Sequence, residues 1–380
     1  MTALATSAFE ATTAPRRRSR RRTTPWLGVD IGTHSVKLAV VSQNAAGHWE
    51  LLRAKQVAWP YHADPFGSPE LLSAALREVL TESRADWEYP KLRNVAFSLP
   101  GCALSRQEVA ADSNDPTAVE RSARAAMQQL YGERSEQLAF DAWLPDTVPN
   151  SFADAPSTGL VWADAEVVSQ SLAAFRHCGL AADVLDAEPL TTARASELFR
   201  KEFSDTQANS ELVVDWGATG ISLTWLFDGQ PRFRRTSIQG GFAEAIQSVA
   251  ERFSLAVSDA EFMLARYGLP GSGSSIGGND GLSQSIESCL TEPLQILLDE
   301  FDRTLGFLGS RYPRQPVQRC LLTGGGAAIR RLDAWLCQQT DIPARSWHLP
   351  TGRDCLADSS LLPAPVFAHA AALSALAWEL

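Results

Sequence analysis

The sequence contains one strand–turn–strand pattern twice, and this repetition constrains the fold more than any other feature. Residues 26–41 read WLGVDIGTHSVKLAVV, an apolar strand, a tight turn and a second apolar strand. Residues 212–227 read LVVDWGATGISLTWLF and repeat the pattern, again with an aspartate closing the first strand and glycine in the turn. The two aspartates, Asp30 and Asp215, lie 185 residues apart, which indicates a duplicated half-molecule rather than a short tandem repeat.

The first turn has the composition of a phosphate-binding loop. Gly32 permits a left-handed backbone and lets a ligand approach the main chain closely. Thr33, His34 and Ser35 place backbone amides and small polar groups at the tip. Lys37 adds a nearby cation. One such hairpin is weak support, because D-x-G turns are common and an ordinary hairpin is the simpler explanation. The recurrence of the pattern favours the phosphate-binding interpretation.

A third glycine-rich turn follows in residues 320–329, CLLTGGGAAI, where an apolar strand is predicted to end before an amphipathic helix. Gly324, Gly325 and Gly326 carry no side chain that could obstruct a flat ring or a ribose. The start of a helix also offers unpaired backbone amides. Two phosphate-type hairpins followed by one nucleoside-type turn are far more specific than any one of them, and together they predict a nucleotide cleft.

The charge distribution separates an N-terminal arm from the remaining chain. Residues 1–24 hold six arginines and one acid, a net charge of +5, whereas the whole chain carries −10 and the remainder therefore −15. Blocks of like charge are usually disordered, so we predict a flexible basic arm over these residues. Weak attraction to an anionic membrane surface and the absence of any role are both open. The acidic remainder argues against nucleic acid as a partner.

Composition limits the class of protein further. The chain has 380 residues, 45% apolar and 21% charged, which is typical of a globular protein large enough for two domains. No apolar run reaches the roughly 18 residues that span a bilayer. The six cysteines form no C-x-x-C pair and have no histidine companions, so a cytoplasmic protein without disulfides or a structural metal is the simpler interpretation.

The order of predicted elements is that of an α/β protein with an insertion. The first half predicts strands at 48–59, 94–99 and 182–185, and helices at 69–83, 167–177 and 188–203. Residues 101–160 change character and predict a small inserted α+β subdomain, a favourable place for a partner surface. A strand at 158–163 is expected to resume the main sheet.

The second half begins near Glu211 and is expected to continue with helices. The predicted segments are a hairpin region ending at Gly240-Gly241, a helix to Phe253, a helix from an N-capping Ser258 to Tyr267, a loop at 270–281, one long amphipathic helix at 282–308, and a final packing helix in which His369 is a core or surface group rather than a ligand. We therefore divide the chain into the arm at 1–24 and two domains at 25–205 and 206–380.

These residues resemble the actin-like ATPase superfamily and, more narrowly, the PilM family of type IV pilus assembly. The resemblance covers about residues 26–380. It implies two RNase-H-like domains around a nucleotide cleft, with the insertion as an SHS2-like subdomain. The stretches that carry it are LGVDIGTHSVKLAVV, GLAADVLDAEPL, VVDWGATGISLTWLFDGQPRFRRTSIQGGFAEAI with SDAEFMLARYG, LLTGGGAAIRRLDAWL, and PVFAHAAALSALA.

The resemblance also implies ATP and Mg²⁺ as cofactors and assigns residues to them. Asp30 and Asp215 would hold Mg²⁺ through water molecules, because that ion keeps much of its hydration shell. Glu188 is the candidate to orient an attacking water, although a solvent-exposed capping residue is the alternative. The residues assigned to the nucleotide are Asp30, Gly32, Thr33, His34, Ser35 and Lys37 in the first phosphate motif, Asp215, Gly217, Ala218 and Thr219 in the second, Gly240 and Gly241 after it, and Gly324, Gly325 and Gly326 in the adenosine motif.

Two residues depart from the family pattern. Trp216 stands where a slimmer apolar residue is usual, and it either packs in the sheet or crowds the phosphate pocket. Arg266 stands where a lysine is common near the nucleoside, which keeps the charge but changes its geometry. Both departures weaken the expectation of turnover more than that of nucleotide binding.

Three functions follow from the resemblance. The first is a cytoplasmic ATP-binding scaffold, with slow or absent hydrolysis, at the inner face of the cytoplasmic membrane in a pilus or related secretion machine. It is expected to bind the N-terminal tail of a PilN-like membrane protein through the insertion and to contact the pilus assembly ATPase machinery. Peripheral membrane association and self-association are open. The alternatives are an FtsA-like division ATPase and a kinase of the same fold, which fold alone does not separate.

Overall fold

The computed structural model describes residues 25–59, 65–86, 92, 94–101, 103–110, 115–143, 157–203, 208–271, 280–351 and 364–378. The arm predicted over residues 1–24 lies outside the described residues, as does most of the loop predicted at 270–281. Within the described part of the chain, no helix combines the length and the apolar character needed to cross a membrane.

The elements alternate between strands and helices along most of the chain. The strands are β1 (Leu27–Ile31), β2 (Ser35–Gln43), β3 (Trp49–Ala58), β4 (Asn94–Ser98), β5 (Ser105–Ala110), β6 (Leu138–Trp143), β7 (Ser157–Asp164), β8 (Ala181–Leu185), β9 (Ser210–Trp216), β10 (Ile221–Phe227), β11 (Gln230–Ser237), β12 (Arg319–Thr323) and β13 (Ala344–Ser346). The helices are α1 (Pro69–Asp86), α2 (Pro116–Tyr131), α3 (Ala165–His177), α4 (Glu188–Phe203), α5 (Phe242–Phe253), α6 (Val257–Arg266), α7 (Asp280–Cys289), α8 (Thr291–Arg311), α9 (Leu332–Thr340) and α10 (Ala368–Ala375).

The two halves have the same sheet topology, which confirms the predicted duplication. One sheet has the order β3-β2-β1-β4-β8 and the other β11-β10-β9-β12-β13. In each sheet three antiparallel strands are followed by two strands parallel to the central one. Helices cover both faces of the second sheet, so its central strand β9 is buried along nearly its whole length, with apolar Leu212, Val213 and Val214 in succession instead of an alternating pattern.

The last helix, α10, packs on the sheet of the first half although it ends the second half of the sequence. Gly28 in β1 allows this close approach, because a side chain at that position would collide with the Ala370 carbonyl of α10. Ser374 ties the helix to the sheet, since its hydroxyl donates to the Trp26 carbonyl at 2.7 Å and accepts from the Val41 amide at 2.9 Å. A linear division at residues 205 and 206 therefore does not describe α10.

The insertion is a separate small sheet with its own helix. Its strand order is β5-β7-β6, and α2 packs on it around buried Ala123, Met127, Leu160 and Trp162. The expectation that residues 158–163 resume the main sheet is wrong, because β7 pairs with β5 and β6 throughout its length. Sequence alternation identifies a strand but not its neighbours, so the insertion extends to Asp164.

Two helix predictions in the second half also need correction. The long helix predicted at 282–308 is broken at Leu290 into α7 and α8. Pro293 accounts for the break, because it has no N–H for the carbonyl four residues earlier and its ring clashes with that carbonyl. Ser258 is not the N-cap of α6, since the helix begins at Val257 and Ala256 occupies the capping position. The predicted helices of the first half agree with α1, α3 and α4 within a few residues.

Candidate functional site

A cavity of about 510 Å³ opens between the two halves, within the size range of small-molecule sites. Its walls come from the β1–β2 turn, the β9–β10 turn, β11, α5, α6 and the start of α10. The predicted residues that line it are Asp30, Gly32, Thr33, His34, Ser35, Lys37, Glu188, Asp215, Gly217, Ala218, Thr219, Gly324 and Gly325.

The two turns that close the cavity are equivalent in geometry. The Gly32 amide donates to the Ser35 carbonyl at 3.1 Å, and the Gly217 amide donates to the Gly220 carbonyl at 2.9 Å. Each turn thus follows its aspartate by the same number of residues and is closed by the same hydrogen bond. At the tips, the hydroxyl groups of Thr33 and Thr219 lie 3.2 Å apart. The duplicated hairpins therefore face each other across the cleft.

Asp30 is held by neighbours on the first sheet. The Ser98 hydroxyl donates to its Oδ1 at 3.2 Å, and Lys37 Nζ lies 3.8 Å from its Oδ2. Lys37 stands opposite Asp30 in the β1–β2 register, so the hairpin itself places the cation beside the carboxylate.

The environment of Asp215 disfavours the charged form of its carboxyl group. Burial raises the pKa of its carboxyl, His369 lowers it by charge attraction, and the carboxylates of Glu188 and Asp30 raise it further. Gly324, at φ +83°, lies against this carboxylate, and a side chain there would collide with Asp215 Oδ1. The third glycine turn thus gives Asp215 its position beside the cavity.

The donor set fits Mg²⁺ bound mainly through water. Among the described residues no group of three or more histidine, cysteine or acidic side chains could hold a metal ion. Two carboxylates on one cavity suit Mg²⁺, which takes one or two carboxylates together with waters and phosphate oxygens. The cavity lining carries four carboxylates, Asp30, Glu188, Asp215 and Glu261, and two permanent cations, Lys37 and Arg234. A polyphosphate would add negative charge there, which a divalent cation would offset.

Glu188 is not a solvent-exposed cap. Its carboxylate forms an ion pair with Arg234 of β11, and the two side chains are only 14% and 13% exposed. Arg234 was not identifiable from the sequence, because its neighbours Arg232 and Arg235 are typical of a basic strand at the surface. Arg235, on the opposite face of β11 from Arg234, bonds Glu300 of α8 instead.

The opposite part of the cavity is apolar and was largely missed from the sequence. Phe242 and Ile246 of α5 and Phe262 and Ala265 of α6 line it, beside Gly325. A side-chain carbon on Gly325 would lie 2.9 Å from the Phe242 ring, so glycine keeps this wall open. The stretch SDAEFMLARYG could have indicated this wall, since it predicts a helix after the second hairpin and that helix carries Phe262.

Glu261 and Ser258 add polar groups to this apolar wall. Burial raises the pKa of the Glu261 carboxyl, while His34 of the first hairpin lowers it by charge attraction. Ser258, predicted as a cap, faces the cavity instead. The described cavity lining does not include Arg266, which is exposed at the end of α6.

Three of the predicted glycines support the site from behind rather than lining it. Gly240 accepts a hydrogen bond from Trp216 Nε1 at 2.7 Å through its carbonyl, and a side chain on Gly326 would collide with the Trp216 ring. Gly241 lets the start of α5 pass the second hairpin, because a side chain there would collide with the Ala218 carbonyl. Their contact with a nucleotide stays a prediction.

Trp216 packs in the core and does not crowd the cavity. Its side chain is buried against the Phe242 ring, with centroids 6.0 Å apart. His369, predicted as a core or surface group, is buried, and its Nε2 lies 3.2 Å from the Thr192 hydroxyl of α4. Because it also lines the cavity, His369 is part of the site as well as of the core.

Two halves of one topology, with paired hairpins and a glycine turn around a shared cleft, define an actin-like protein. The model of one family, described as type IV pilus assembly protein PilM, matches residues 28–349. The chain belongs to this family.

Several solved structures are similar to this chain. A PilM–PilN type IV pilus biogenesis complex matches at a TM-score of 0.69 and 21% identity, over 93% of this chain and 99% of that chain. Ethanolamine utilization protein EutJ from Carboxydothermus hydrogenoformans matches at a TM-score of 0.49 and 12% identity, over 92% of this chain and 88% of that chain. MreB 5 of Spiroplasma citri bound to AMPPNP matches at a TM-score of 0.46 and 12% identity, over 92% of this chain and 95% of that chain.

Proposed function

We propose that this actin-like pilus assembly protein binds ATP with Mg²⁺ in the cleft between its halves. The observation that carries the proposal is the convergence of both aspartate hairpins on one cavity, with their tips 3.2 Å apart. The turn amides and Lys37 would contact phosphate oxygens, Asp30 and Asp215 would hold the hydrated metal, and the α5–α6 wall with Gly324 and Gly325 would take the nucleoside. Mg²⁺ would offset phosphate charge.

The test is a melting-temperature measurement with and without ATP. Millimolar MgATP should raise the melting temperature of the wild type, because a ligand that binds only the folded state stabilises it by mass action. The double variant D30A/D215A should lose the shift. Wild-type protein that does not respond to MgATP would reject nucleotide binding.

Slow or absent hydrolysis fits the described site. In the ligand-free structure the acid predicted to orient water, Glu188, is paired with Arg234, and it would have to lose that partner before it could act as a base. We infer that the nucleotide acts as a structural ligand that holds the two halves together. Steady-state phosphate release should therefore be near background in a sample that shows the full MgATP shift.

We further propose that the insertion binds the N-terminal tail of a PilN-like membrane protein, on the cytoplasmic side of the membrane. Support comes from the likeness to a PilM–PilN complex over 93% of this chain. The inserted sheet leaves both β5 and β6 as edge strands in the described residues, where an extended peptide could add. Leu130 of α2 adds an exposed apolar side chain on the same subdomain.

A labelled peptide from such a tail tests this docking site. Binding measured by fluorescence polarisation should vanish when residues 101–164 are removed, while the MgATP shift persists as a control for the fold of the rest. Retained peptide binding would place the docking site elsewhere. Contact with the assembly ATPase, self-association and membrane association of the basic arm stay predictions.

A further inference from the structure

The ion pair between Arg234 and Glu188 joins two parts of the molecule at the cleft. Arg234 lies on β11 of the second half, and Glu188 begins α4, the helix that links the halves. Arg234 Nε donates to the Ser222 hydroxyl at 2.8 Å. Ser222 stands opposite Asp215 in the β9–β10 register, and Arg234 and Asp215 line the same cavity.

The pair and the apolar wall lie on opposite faces of the second sheet. Val213 and Leu226 pack on one face against Ala195 and Leu198 of α4, the helix that carries Glu188. The other face packs against α5 and α6, which form the apolar wall. A nucleotide with its base at that wall would extend around the ends of the strands toward the ion pair. The part of a nucleotide most remote from its base is the terminal phosphate.

The guanidinium group of Arg234 allows an exchange of a carboxylate partner for a phosphate. A guanidinium binds a phosphate through two parallel hydrogen bonds as readily as it binds a carboxylate. Gly101, at the turn that follows β4, lies next to the pair, since a side-chain carbon there would be in van der Waals contact with both, at 3.5 Å from Glu188 and 3.9 Å from Arg234. The other permanent cation of the described cavity lining, Lys37, lies beside Asp30 in the first hairpin.

We propose that Arg234 distinguishes a nucleoside triphosphate from a diphosphate by leaving Glu188 for the terminal phosphate. This inference rests on the proposed nucleotide binding and names the residue that makes it selective. In the structure Glu188 pairs with Arg234, so its carboxylate would compete with the terminal phosphate for the guanidinium.

The experiment measures affinities for AMPPNP, a non-hydrolysable ATP analogue, and for ADP by calorimetry with Mg²⁺. Wild type should bind AMPPNP more tightly than ADP. The variant R234M should lose about tenfold or more in AMPPNP affinity, the value of a charge-assisted hydrogen bond, and little in ADP affinity. E188Q should bind AMPPNP about two- to fivefold more tightly, because the competing charge is gone.

Two further variants keep the test decisive. R235M removes the neighbouring arginine, which bonds Glu300 of α8 at 2.6 Å, and should leave both affinities unchanged. R234M/E188Q removes both charges, so it folds without an unpaired carboxylate and should repeat the selective loss. If these Arg234 variants lost affinity for AMPPNP and ADP equally, or for neither, this inference would be overturned, while the proposed nucleotide binding would stand. A wild type that binds neither nucleotide would reject the proposed function as well.

Discussion

The hydroxyl groups of Thr33 and Thr219 lie 3.2 Å apart although 186 residues separate them. Each occupies the tip of one of two equivalent hairpins, closed by the same amide-to-carbonyl hydrogen bond. This contact shows that the repeated sequence pattern produces one site and not two separate turns. Because the two hydroxyl groups belong to different halves, substitutions at Thr33 and Thr219 can test whether the halves meet in solution.

We predict a coupling energy of about 0.5 kcal/mol between Thr33 and Thr219, the low end for an exposed hydrogen bond. It is measured as a double-mutant cycle on the free energy of unfolding, with T33V, T219V and the double variant. Additive single effects would mean that the tips do not touch in the free protein.

Asp215 should make the free protein less stable as pH rises. Since burial raises the pKa of its carboxyl, the folded state binds the proton more tightly than the unfolded chain does. Stability contributed by the protonated form is therefore lost as pH rises from about 4, the ordinary aspartate value, through the raised value. D215N should raise the melting temperature at pH 8, less so as pH approaches 4, and abolish the MgATP shift.

Asp302, exposed on α8 and outside the described cavity lining, offers the matched control for that charge removal. D302N should leave both the pH profile and the MgATP shift unchanged. A D215N melting curve that tracks the wild type at every pH would contradict the assigned environment of Asp215.

Substitution of Gly324 by alanine should destabilise the protein by about 2 kcal/mol or more. The residue has φ +83°, and the added carbon would collide with Asp215 Oδ1. G306A, in the exposed middle of α8 with open space around it, should instead stabilise by about 0.5–1 kcal/mol. Denaturant unfolding gives both values, and a neutral G324A would refute the close contact with Asp215.

Trp216 should stabilise the fold through its hydrogen bond as well as its bulk. W216F keeps an aromatic ring but leaves the Gly240 carbonyl without the 2.7 Å bond, at a cost of about 2 kcal/mol. The same exchange at half-buried Trp335 of α9 should cost less than about 1 kcal/mol. If both substitutions lowered the free energy of unfolding equally, the hydrogen bond from Trp216 to Gly240 would contribute nothing.

Much of the site followed from local sequence. An aspartate, a glycine turn and two apolar strands specify a hairpin by short-range chemistry alone, so both phosphate-type turns and the Gly324 turn were identifiable. Their repetition implied the duplicated halves, and the cleft between them was expected. Asp30 and Asp215 line one cavity in the structure, and their roles toward a nucleotide stay predictions.

Side-chain partners and strand neighbours were decided by the tertiary structure. Alternation marks β7 as a strand but does not say that it joins the inserted sheet, because pairing depends on distant segments. Arg234 and Arg235 are adjacent in sequence, yet one faces Glu188 in the cleft and the other Glu300 on α8. Successive residues of a strand point to opposite faces, so only the packed sheet determines which arginine enters the site.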